Sequence, residues 1–70
     1  MNLNTIVLEI AQTTFRNDIL LSDIIPKNKL SYEIFCSAIG EKFDISIQNN
    51  YREETFEEVI DRIHDLIKGY

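Results

Sequence analysis

Residues 28–47 read Asn28-Lys29-Leu30-Ser31-Tyr32-Glu33-Ile34-Phe35-Cys36-Ser37-Ala38-Ile39-Gly40-Glu41-Lys42-Phe43-Asp44-Ile45-Ser46-Ile47, and their spacing decides the fold. Apolar residues at 30, 34, 35, 38, 39 and 43 recur at intervals of three and four, the repeat of an amphipathic helix. Beyond Phe43 the period drops to two, with Ile45 and Ile47 alternating with Asp44 and Ser46. This predicts a helix ending near Phe43 and an extended segment after it. Asn28 suits the N-cap. Gly40 inside the helix costs about 1 kcal/mol relative to alanine, so it marks either a close approach of another backbone or an early helix end.

Downstream, Thr55-Phe56-Glu57-Glu58 is a capping-box sequence. It opens a run with Phe56, Val59, Ile60, Ile63, Leu66 and Ile67 on one face, predicting a final helix over 56–68 with Lys68 and Gly69 as basic last turn and stop. Upstream, Leu3, Ile6, Val7, Ile10 and Ala11 predict a first helix over 4–15, capped by Asn2 or Asn4. Residues 17–27 hold Ile19-Leu20-Leu21 and Ile24-Ile25 and close on Pro26, too apolar for an exposed linker. They predict a long loop folded over the helices, whose Ile and Leu side chains complete the core. Residues 48–54 predict a turn or a single helical turn, with Tyr51 packed inward. The fold class is all-α: one domain over residues 1–70, a small bundle of three main helices plus a short helix or turn. Phe35, Ile39, Phe43, Ile60 and Ile63 are the expected core.

Seventy residues bury about 60% of the surface exposed by the unfolded chain, which leaves a small core and little room for an internal ligand. Twelve carboxylates against seven Lys plus Arg give a net charge of −5, which disfavours nucleic acid and anionic membrane as partners and favours a cationic protein surface. One cysteine forms no internal disulfide and suits a reducing compartment, so the expected location is the cytoplasm; the expected state is a monomer. The first residues lack a basic segment, Glu9 interrupts their apolar run, and no stretch approaches about 20 apolar residues, so neither an export signal nor a spanning helix is expected.

The helix closing on Glu41-Lys42-Phe43-Asp44-Ile45-Ser46-Ile47 resembles the second helix and following loop of acyl and peptidyl carrier proteins. Thr55-Phe56-Glu57-Glu58-Val59-Ile60-Asp61-Arg62-Ile63 is similar to the family's last helix. The resemblance covers residues 28–47 and 55–67 and is loose elsewhere. It implies a carrier-protein-like bundle, in which an Asp-Ser-Leu triplet opens the second helix and the serine holds phosphopantetheine. Here the triplet is Asn28-Lys29-Leu30, so Lys29 stands at the attachment position and cannot accept the arm as a hydroxyl does. Ser31 is the nearest hydroxyl, about 200° around and 3 Å along the helix, and Ser22 lies in the loop.

The resemblance implies a non-catalytic module without a phosphopantetheine arm, docking on enzymes of fatty-acid, polyketide or non-ribosomal peptide biosynthesis. Its docking face would show Lys29, Tyr32, Glu33, Cys36, Ser37, Gly40 and Glu41. The alternatives are a working carrier modified at Ser31 or Ser22, and an acidic helical adaptor or inhibitor unrelated to acyl transfer. Cys36 and His64 are the available nucleophile and base, but nothing is placed to orient them, so the reading is a packed thiol and a surface imidazole. Glu57, Asp61 and Asp65 form a row along one helix rather than a cage, so no metal site is expected, and Glu58 with Arg62 is a favourable i, i+4 pair.

Overall fold

Three helices appear in a computed structural model that describes residues 2–50 and 52–68, with the side chains of Lys29 and Lys68 left aside. They are α1 (Leu3–Thr14), α2 (Lys29–Phe43) and α3 (Phe56–Lys68), and the molecule is an all-α globule with principal extents of 31 × 23 × 19 Å. The expectations for Tyr51 and Gly69 lie outside the described residues.

Each helix starts for a different local reason. The Asn2 side chain accepts a hydrogen bond from Thr5 N at 3.3 Å, so α1 begins one residue earlier than its periodicity implied. Thr55 Oγ1 accepts from Glu58 N at 3.4 Å, as the capping-box sequence requires. The loop supplies the remainder: Leu21 O accepts from Glu57 N (3.1 Å) and Asp23 O from Phe56 N (3.3 Å), so the chain between α1 and α2 occupies orphan N–H groups of α3. Ile25 N donates to Glu54 O (2.8 Å), and an isolated antiparallel bridge joins Ile24 to Thr55. Asn28 holds the N-cap position of α2, but its side chain makes no capping bond.

Helix α2 ends on Asp44 in the left-handed region (φ 54, ψ 49), where a short polar side chain is tolerated. The chain then reverses against its own helix, and Ile45 N donates to Gly40 O at 3.1 Å. A Cβ on Gly40 would stand 3.0 Å from Ile45 O, so the glycine serves a close backbone approach rather than an early helix end.

Helix α1 is the element against which both others pack. Val7 and Ala11 face Phe35 and Ile39 of α2 and Phe56, Val59, Ile60 and Ile63 of α3 in one buried cluster, which Ile19 and Ile25 of the loop complete. Against it the half-buried Phe15 meets the buried Phe35 and Phe56, with the three ring centroids 5.5–5.8 Å apart. The loop folds inward only in part, since Leu20 and Ile24 stay exposed. Residues 45–50 form neither helix nor strand, and the turn expected near 48–54 includes an Asx hydrogen bond, with Arg52 N donating to Asn50 Oδ1 at 2.9 Å.

Two expectations about α2 are corrected. Phe43 is half-buried at the rim of the core, because the helix ends there. The buried face is Tyr32, Phe35, Cys36 and Ile39, whereas Leu30 and Ile34 are 67% and 50% exposed. Apolar side chains lie nearly all around this helix, so their spacing defined a helix without defining which side faces inward.

Candidate functional site

With that rotation, the outward crest of α2 carries Leu30, Ile34, Ser37 and Glu41, which fall within about 60° of one another at 100° per residue. Leu30 and Ile34 stand one turn apart. Beside the crest, Glu33, Cys36, Ser37, Gly40 and Glu41 line a groove of about 590 Å³, closed on its far side by Ile45, Ser46, Ile47 and Asn49. Five of the seven docking residues named from the sequence therefore share one groove.

The other two do not join it. Tyr32 is buried, because its hydroxyl has partners inside: it accepts from Asn50 N at 2.7 Å and hydrogen-bonds the Cys36 thiol. It is no part of a docking face. Lys29 is the first residue of α2, and its side chain lies outside the described residues. Cys36 is corrected as well: it is only 7% exposed, a floor for the groove rather than a contact surface. Ser31 is half-buried on α2 and Ser22 is exposed in the loop.

Burial pushes the Cys36 thiol above its ordinary range, and this outweighs the opposing effects of the Tyr32 hydrogen bond and of the Lys27 and Arg62 charges. The sulfur is accordingly held as a thiol, not as the thiolate that nucleophilic chemistry uses. His64 is exposed and lines a separate cavity with Asn2, Leu3 and Asn4. Glu57, Asp61 and Asp65 are exposed along α3, and among the described residues no three His, Cys, Asp or Glu side chains converge as metal ligands would. Among them also, no helix is long and apolar enough to cross a membrane.

Sequence reasoning missed a buried polar cluster around Glu54 and Tyr32. Glu54 is 6% exposed and accepts from Arg62 Nη2 at 2.7 Å and Lys27 Nζ at 3.3 Å. Arg62 thus turns inward to Glu54 rather than outward to Glu58. Lys27 Nζ also donates to Asn50 O and lies 4.1 Å from the centroid of the Tyr32 ring, a cation–π contact. Among the described residues Arg62 Nε is buried without a hydrogen-bond partner. No local pattern announces this cluster, because its members come from the loop, α2, the segment before α3, and α3 itself.

No family model, curated protein or solved structure matches the chain.

Proposed function

We propose that this chain is a non-catalytic docking module, a carrier-protein-like scaffold without a phosphopantetheine arm that binds a protein partner across the crest of α2. The observation that carries the reading is the exposure of Leu30 and Ile34 on one turn of that helix. Covering apolar surface stabilises a complex by about 25 cal/mol per Å², so two outward aliphatic side chains supply a hydrophobic contact, and Glu33 and Glu41 beside them favour a cationic rim on the partner. The carrier ancestry rests on the sequence resemblance, and α2 opening at Lys29 is consistent with it: the lysine occupies the helix start at which the family presents its serine. The partner is an enzyme of a fatty-acid, polyketide or non-ribosomal peptide assembly, met in the cytoplasm by a monomer.

The test is treatment with coenzyme A and a broad-specificity phosphopantetheinyl transferase, followed by intact mass spectrometry. The wild-type mass is expected to stay unchanged, and Asn28→Asp with Lys29→Ser, which rebuilds the triplet, is expected to gain the arm. A wild-type adduct on Ser31 or Ser22 would make the protein a working carrier. A folded double mutant that stays unmodified would remove the carrier ancestry and leave an adaptor of another kind.

A further inference from the structure

We propose that residues 45–50 form a strap, latched against α2 by Lys27 and Tyr32, that opens as a unit while the three-helix core stays folded. The strap has no helix or strand and is tied at two points. At its start, Asp44 turns the chain through the left-handed region and Ile45 N donates to Gly40 O. At its end, both backbone groups of Asn50 are taken: N–H by the Tyr32 hydroxyl at 2.7 Å, and C=O by Lys27 Nζ. Between these ties, among the described residues, Ser46, Ile47, Gln48 and Asn49 make no hydrogen bond to the rest of the protein. Ile45 and Ile47 are only half-buried, and Ser46, Gln48 and Asn49 are exposed.

Backbone with few protected hydrogen bonds and little buried apolar area has a low free energy of local opening, far below that of core helices. The helix contacts of the core do not run through the strap, since α1 packs against α2 and α3 directly and the three phenylalanines join them, and Ile45 and Ile47 pack only on its edge. The strap's far end is therefore held by the Lys27 ammonium and the Tyr32 hydroxyl, two polar groups on other elements. Release of Asn50 would uncover Tyr32 and Cys36 and reshape the groove beside the α2 crest. This holds whether or not a partner docks there.

Cys36 reports the opening without any added label, because it is buried and lines the same groove as Ile45, Ser46, Ile47 and Asn49. Its reaction with an aromatic disulfide would be timed on the full chain, normalised to the denatured protein, alongside hydrogen exchange at Val7 and Ala11 of α1. In wild type, Cys36 is expected to react at least tenfold faster than global opening at Val7 and Ala11 permits. Lys27→Met also leaves the buried Glu54 short of a partner, so exchange at Val7 and Ala11 should rise as well, but the normalised Cys36 rate should rise about tenfold more than those amides do, and Lys42→Met, the same charge change on exposed α2 surface, should leave both alone. Tyr32→Phe, which keeps the ring and removes the hydroxyl, should act as Lys27→Met does. Cys36 reacting only at the global rate in wild type would overturn the proposal. So would variants that speed Cys36 and the α1 amides equally.

Discussion

Phe15, Phe35 and Phe56 join three segments through ring contacts, while Lys27, Tyr32, Asn50, Glu54 and Arg62 join four segments through charge and hydrogen bonds. The hydrophobic part of the aromatic contact is non-directional, and its energy scales with the area removed from water. In the polar cluster each group is tolerable only while its partner is present, since an unpaired buried charge is costly. The first kind of contact makes the helices assemble. The second fixes how the connecting segments lie on them, and it fails all at once when one member is lost.

The largest effect is expected at the aromatic centre. Phe35→Ala should lower stability by about 3–5 kcal/mol through lost transfer energy and the cavity left behind. A domain of this length has only about 4–10 kcal/mol in total, so a large share of the population should be unfolded near body temperature. Thermal melting followed by circular dichroism measures it. A variant keeping the wild-type midpoint would mean that the three rings do not form the centre of the fold. Phe43→Ala, on the same helix but at its half-buried end, should cost clearly less.

The polar cluster should give the next effect. Glu54→Gln removes the charge that Lys27 and Arg62 share and should cost about 2–3 kcal/mol, below the range for fully buried pairs because Arg62 keeps a third of its side chain in contact with solvent. In a double-mutant cycle, Lys27→Met with Glu54→Gln should cost less than the two single changes added, since the second removes a group already left without its partner. Strict additivity in denaturant titrations would show that the two side chains act independently and that the cluster is only a set of surface contacts.

The same contrast governs what could be read from the chain. Helices α1 and α3 were legible to within a residue or so because capping residues and apolar spacing are local signals, carried by Asn2, Thr55 and the residues that follow each. The end of α2 was legible too, from the change of period after Phe43. Its rotation was not, because Leu30, Ile34 and Ala38 form as good an apolar stripe as Tyr32, Phe35 and Ile39, and the choice is made by contacts outside the helix. Tyr32 is drawn inward by Asn50, eighteen residues on, and Glu54 by Lys27 and Arg62, twenty-seven residues before it and eight after. Acidic residues at 53 and 54 look alike in sequence, yet one is exposed and the other buried. The groove was partly legible, since Glu33, Ser37, Gly40 and Glu41 share one flank of α2, but its far wall is built by a segment whose course depends on the polar cluster.

The smallest effect is expected where the two stripes of α2 are compared directly. Leu30→Gln with Ile34→Gln replaces two large aliphatic side chains, the same kind of change that is ruinous at Phe35 or Ile39. Both positions are at least half exposed, and glutamine is nearly as good a helix former as leucine, so neither a cavity nor a propensity loss follows. Each substitution should shift stability by no more than about 0.5 kcal/mol. Denaturant titration gives the stability, and sedimentation velocity of both proteins gives the state of the crest. Two monomers of equal stability would leave Leu30 and Ile34 open for a different protein, as the docking reading requires. A loss of several kcal/mol would place them in the core and rotate α2 back toward the stripe its spacing first suggested. A wild-type dimer that the variant abolishes would mean that a second copy already covers the crest, and the contact would then serve assembly of this chain with itself.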